Sequence, residues 1–148
     1  MAYTQMILER LKRLAQYVEF LKRKRALRRE EFLGDQESQL SVERALQLAI
    51  QIVIDIASHI LATMSNVTPQ DYSDAIVKLA QVGVIPTTFA NKIASMPRFR
   101  NVLVHEYIDV DTSRVYRSLQ EELDDFTEFA RYINEWLDKQ GTLSESQS

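Results

Sequence analysis

With 148 residues, 45% of them hydrophobic and 26% charged, the chain has the length and balance of one ordinary globular domain, large enough to bury a core. It has no cysteine, which excludes a disulfide framework and thiolate chemistry, and its three Gly and three Pro are too few for a loop-rich or all-β protein. The net charge of −3 hides an asymmetry: residues 1–29 hold nine Lys or Arg against two Glu, while residues 111–148 hold nine Asp or Glu against four Lys or Arg, so a local basic stripe can attract phosphate on an acidic chain.

Ile7, Leu11, Leu14, Val18 and Leu21 recur at spacings of four and three, one face of a helix that the pattern carries from about Tyr3 to Leu33, where Gly34 supplies a stop. At ~1.5 Å per residue that helix would be roughly 45 Å long and cross a whole bundle. It carries the run Lys22-Arg23-Lys24-Arg25, followed by Arg28 and Arg29. This run reads equally well as a solvated helix face and as a landing strip for nucleic-acid phosphate.

A second helix is expected from about Ser38 or Ser41 to Ser65. It is apolar nearly all round, the mark of a central helix packed by neighbours on several sides. One polar stripe survives on it, at Arg44, Gln47, Gln51, Asp55 and His59, and it must find partners. Those interruptions between Ala45 and Met64 argue against a membrane span, and Met1 to Gln5 open into an amphipathic pattern without the n- and h-regions of a signal peptide. A cytoplasmic protein without membrane contact is the expectation.

Asn66 to Pro69 read as a loop, and a short helix follows from about Asp71 to Gln81, ended by Gly83. Pro86 fits the first turn of another short helix reaching about Ser95, and Met96-Pro97 marks a further break. Asp109 to Thr112 read as a junction with Asp at the next N-cap. Val115, Leu119, Leu123, Phe126, Ala130, Ile133 and Leu137 give the last helix, from about Thr112 to Lys139, a clean apolar face. Phe126, Phe129, Tyr132 and Trp136 read as core or interface, not as base-stacking residues. The whole is an all-α antiparallel bundle of three long and two or three short helices. It forms a single domain over residues 1–140, and Gly141 stops the last helix ahead of a flexible tail, 141–148.

The chemistry-bearing inventory is small. The two histidines, His59 and His105, are too few for a three-His zinc site, and neither is preceded by the Glu-x-x-His spacing of a di-iron bundle, so no metal and no cofactor is expected. His105 stands out for its company, Arg98, Arg100 and Asn101 before it and Glu106 and Tyr107 after it. Imidazole moves protons near neutral pH, guanidinium grips phosphate oxygens with two donors, and Asn can hold a base or fix the His tautomer. Those are the parts for cleaving an RNA phosphodiester without a metal. On one helix Asn101 and His105 share a face and Arg100 lies well round from it. A single chain supplies one such His where acid and base roles need two groups, so a two-fold dimer that brings two copies together would complete the set. The opposing reading makes His105 a helix-end imidazole paired with Glu106 or Asp109. For His59 an i, i+4 structural pair with Asp55 is preferred, with Arg44, Gln51, Asp55 and His59 kept as candidate supports of the site.

The stretch Arg100 to Tyr107 has the pattern Arg, four residues, His, one residue, Tyr. In this it resembles the HepT proteins of the HEPN superfamily. The resemblance extends to Val42-Glu43-Arg44-Ala45-Leu46, Ile54 to Ile60, Val82-Gly83-Val84-Ile85-Pro86 and Asp109-Val110-Asp111 with Arg114-Val115-Tyr116, most of residues 40–117. It implies a helical-bundle homodimer with the motif at the subunit interface, and a ribonuclease toxin paired with an MntA-type nucleotidyltransferase antitoxin. It makes Arg100 and His105 the catalytic pair, Asn101 a supporting polar residue, and Tyr107 the site where the antitoxin attaches AMP. Two further readings stand beside it. One is a non-catalytic dimeric module that binds nucleotide, RNA or a partner protein; the other is a purely structural role.

Overall fold

A computed structural model describes residues 2–64, 66–105 and 110–147. Among them all regular structure is α-helical, in eight helices. The first, α1 (Ala2–Lys24), lays Ile7, Leu11, Leu14, Val18 and Leu21 into the core along the expected face. At 23 residues it is roughly 35 Å long, and it stops well short of Leu33. Past Lys24 the backbone tightens to i→i+3 bonds, Ala26 N to Arg23 O and Leu27 N to Lys24 O. The carbonyls released by the turn are taken up from a distant helix: Gln120 Nε2 donates to Arg25 O at 2.9 Å and the Tyr116 hydroxyl to Leu27 O at 2.8 Å. A new helix, α2 (Arg29–Leu33), then starts with Glu31 reaching back to accept from Arg28 N at 3.1 Å, and it buries Phe32 5.3 Å from the Tyr116 ring. The single long first helix is therefore two. Partners some ninety residues away in sequence repay the broken helical hydrogen bonds.

The central helix, α3 (Gln36–Ala62), is capped by Asp35, which accepts from Ser38 N and from Ser38 Oγ, the latter at 2.7 Å. By length and composition alone it could cross a membrane. Here its apolar side chains are core, because α1, α4, α6, α7 and α8 all pack against it. The next helix, α4 (Tyr72–Gln81), is capped by Asp71 and ends as the glycine foretold. Gly83 at φ 85° closes a Schellman turn, with Val84 N bonded to Leu79 O and Gly83 N to Ala80 O.

Two short helices, α5 (Thr87–Ile93) and α6 (Met96–His105), carry Pro86 just before the first and Pro97 in the opening turn of the second, where a missing N–H costs nothing. Asp111 caps α7 (Thr112–Glu121) by accepting from Ser113 N and Arg114 N. The last helix, α8 (Leu123–Gln147), is separate from α7, so the expected single C-terminal helix is also two. The joint is Glu122, whose carboxylate meets the Arg114 guanidinium at 3.3 Å, while Lys92 Nζ holds buried Asp125 at 2.9 Å just beyond. Gly141 does not end α8, which continues to Gln147. Phe126 and Phe129 are fully buried, and Tyr132 and Trp136 pack at the edge of the core.

Candidate active site

Helix α6 shows two sides. Met96, Pro97 and Leu103 are buried, while Arg98, Asn101 and His105, at spacings of three and four, form one exposed stripe. Arg100 stands five residues from His105, roughly 140° round the helix. Its guanidinium carbon lies 5.7 Å from the centre of the Tyr72 ring at the start of α4, a cation–π distance. Its Nε is buried and has no hydrogen-bond partner among the described residues. A buried guanidinium N–H without an acceptor among the described residues is uncommon.

Asn101 and Arg98 also line a small surface pocket of about 200 Å³, closed by Pro97 below and by Asp71, Tyr72 and Ser73 of the α4 start. On the other flank of α6 a mostly apolar cleft lies among Phe99, Val102, Val110 and Arg114, with the Arg114 guanidinium 4.4 Å from the Phe99 ring. Arg114 also donates to Ser118 and pairs with Glu122, so one side chain ties α6 to α7 and to the α7–α8 joint. Glu106, Tyr107 and Asp109 lie outside the described residues.

The polar stripe of α3 is answered partly within itself and partly from α1. Gln51 Nε2 donates to Asp55 Oδ1 at 2.9 Å and Arg10 Nε faces Asp55 Oδ2 at 3.8 Å. The expected Asp55–His59 pair is not made among the described residues, since Asp55 turns the other way. Half-buried Gln47 and His59 and exposed Arg44 complete the stripe, and none of the five side chains bonds to α6 among the described residues.

The basic run divides. Lys24 Nζ donates to Ser38 Oγ at 3.2 Å, Arg23 and Lys24 sit 5.8 and 5.9 Å from the Phe20 ring, and Arg28 pairs with Glu31. Lys22 is exposed and Arg25 half-buried. Arg29 reaches across to α7, where its Nη2 donates to Ser113 Oγ at 2.9 Å. That contact brings the end of the run to the segment that follows the motif.

Reading the residues missed Tyr72 and the clasp made by Arg114. Tyr72 carried no local signal, since it stands at helical spacing from Ala75, Ile76 and Leu79 and reads as one more apolar position of α4. That it faces α6 depends on how α4 and α6 cross.

Comparison with known proteins gives the family of the chain. The chain is 32% identical over 128 residues to a tRNA nuclease HepT of Aphanizomenon flos-aquae, covering 86% of this chain and 87% of that protein. It is 32% identical over 103 residues to an mRNA nuclease HepT of Shewanella oneidensis, covering 70% and 77%. Its fold superposes on a tri-AMPylated Shewanella oneidensis HEPN toxin, solved in complex with an MNT antitoxin, with a TM-score of 0.78 at 26% identity, over 86% of this chain and 96% of that one. A family model described as ribonuclease HepT-like matches residues 7–133, nearly all of the bundle including α6, and the chain belongs to that family.

Proposed function

We propose that this protein is the toxin of a toxin–antitoxin pair, a metal-independent endoribonuclease of the cytoplasm that works as a homodimer. The observation that carries the reading is Arg100 and His105 on one short helix of a ribonuclease HepT-like chain, His105 exposed at its end and Arg100 with a buried, unanswered donor. In the proposed reaction the 2′-hydroxyl of RNA attacks the adjacent phosphorus as a base removes its proton. The P–O5′ bond breaks, and the leaving oxygen takes a proton from an acid, which gives a 2′,3′-cyclic phosphate and a free 5′-hydroxyl. His105 and the partner subunit's copy of it supply base and acid. Arg100 stabilises the charge that builds on the phosphoryl oxygens, and Asn101 supports the exposed face. Two copies are needed because Arg100 and His105 of one chain face different ways round α6.

The basic run is the proposed approach path for RNA, with Lys22, Arg23, Arg25 and Arg28 binding phosphate and Arg29 leading toward the motif. Arg44, Gln51, Asp55 and His59 act, in this reading, by holding α3 rigid behind α6. Because a HEPN toxin of the same fold is tri-AMPylated and bound to an MNT antitoxin, Tyr107 is proposed as the residue that an MntA-type nucleotidyltransferase modifies. A nucleotide there would bring negative charge two residues from His105 and compete with RNA phosphate.

The test is to incubate the unmodified protein with total RNA in excess chelator, beside the His105→Ala protein. New ends bearing 2′,3′-cyclic phosphate with the native protein alone support the reading. Intact RNA in both tubes, with Tyr107 bare by mass, moves the assignment to a module that binds nucleotide or a partner without cleaving.

A further inference from the structure

We propose that the pocket between the first turn of α4 and the exposed stripe of α6 is a nucleobase subsite, in which Tyr72 stacks on the base and Asp71 and Asn101 favour a base with an exocyclic amino group. The inference rests on the ribonuclease reading and deepens it, because it names what the site recognises beside the phosphate.

Tyr72 is 47% exposed, one of four large hydrophobic side chains left exposed among the described residues. The core does not require it: α4 anchors itself through Ala75, Ile76 and Leu79. What the ring does touch is the Arg100 guanidinium, 5.7 Å from its centre. With the cation on one side and solvent beside it, the ring offers the kind of π-surface on which single-stranded bases stack whatever their identity. The same contact ties the platform to the proposed phosphate-binding residue, so a nucleotide held on Arg100 would carry its base toward Tyr72. Arg100 is only half-buried, and its guanidinium supplies the charge for the phosphate oxygen.

The pocket beside the ring, about 200 Å³, is lined by Asp71, Tyr72, Ser73, Pro97, Arg98 and Asn101. That is below the ~300–1,000 Å³ of pockets for drug-sized ligands, a size for one planar base. Its polar groups discriminate. Asp71 Oδ1 is occupied, accepting from Asp74 N at 2.7 Å to cap α4. Oδ2 makes no hydrogen bond among the described residues and can only accept. A carboxylate accepts from the amino group of cytosine or adenine, and an Asn amide pairs with a base edge as donor and acceptor at once. Uracil has no amino group, and its one edge donor, N3–H, is flanked by two carbonyl oxygens that the carboxylate repels.

The experiment uses the full chain with His105→Ala, titrated with short ribo-oligonucleotides of adenosine, cytidine or uridine, and with one containing 2-aminopurine as a stacking probe. Adenosine and cytidine oligomers should bind more tightly than uridine. Tyr72→Ala should weaken binding roughly 10- to 100-fold and abolish the quenching of 2-aminopurine, and Tyr72→Phe should keep both. Asp71→Asn, which retains a capping side chain, should narrow the preference for amino bases. Unchanged affinity and quenching in Tyr72→Ala, uridine bound as well as the others with Asp71→Asn silent, or no binding of any oligomer would each overturn the subsite. Cleavage of the same oligomers by native protein in chelator is scored separately. Cleavage with an indifferent Tyr72 sinks the subsite alone, and stacking without cleavage sinks the ribonuclease reading alone.

Discussion

Helix α3 buries thirteen of its 27 residues and settles its polar groups on neighbours: Ser38 on Asp35, and Gln51 and Arg10 on Asp55. Helix α6, packed against it, buries three of ten. It turns Arg98, Asn101 and His105 outward and leaves Arg100 Nε buried without an acceptor among the described residues. One helix spends its side chains on burial and satisfied hydrogen bonds; the other withholds several from both. Under the proposed function the exposed side of α6 is kept for substrate, and the neighbouring helix supplies the stability.

That contrast can be broken by exchanging the effects. The largest expected effect is on activity at α6. His105→Ala should lower RNA cleavage by about 10²–10⁴-fold and leave the melting temperature unchanged, as loss of the proposed proton-transfer group on an exposed position requires. A parallel loss of melting temperature would make His105 a structural residue. Next comes α3, where Ile56→Ala at a fully buried position should cost about 2–5 kcal/mol in chemical denaturation. Cleavage measured well below the transition should stay near native. A selective loss of cleavage in the still-folded protein would show that α3 contributes more than support.

Smaller effects sharpen the comparison at the α1–α2 corner. Tyr116→Phe removes the donor to Leu27 O and should destabilise by about 1 kcal/mol, read from the urea midpoint. The smallest effect concerns Asp35. Ser38, through its side chain first and its backbone N–H second, holds the Asp35 carboxyl below its usual range. A depressed carboxyl adds stability that is complete above its unfolded value and is lost as pH falls through the folded one. Asp35→Asn should therefore flatten the acid limb of the stability profile below about pH 4, where the native chain steepens. Identical acid limbs would remove Asp35 from the account.

Much of this was legible along the chain. The 3-and-4 spacing of Ile7 to Leu21 names the buried face of α1, the unbroken apolar run names α3 as central, and Gly83 and Asp111 mark a stop and a start that the backbone obeys. These are local matters, decided by periodicity, capping and backbone freedom within a few residues. The motif from Arg100 to Tyr107 is equally local, and so is the family resemblance it carries.

Other features were settled only by distant partners. The break after Lys24 has no Gly or Pro to announce it; it stands because Tyr116 and Gln120 accept the task of bonding its carbonyls. The break at Glu122 stands where Arg114 reaches it, and no residue nearby marks it in the sequence. Asp55 chose Gln51 and Arg10 over His59, and Tyr72 came to lie against Arg100, because of how helices cross. The sequence by itself determined which segments are helical, which faces are buried and which short stretch carries the motif, since those depend on residue type at fixed local spacing. Only the tertiary structure decided where the long helices break, which cation meets which ring and which donor finds no partner among the described residues. Those are contacts between residues far apart in the chain, and no local spacing encodes them.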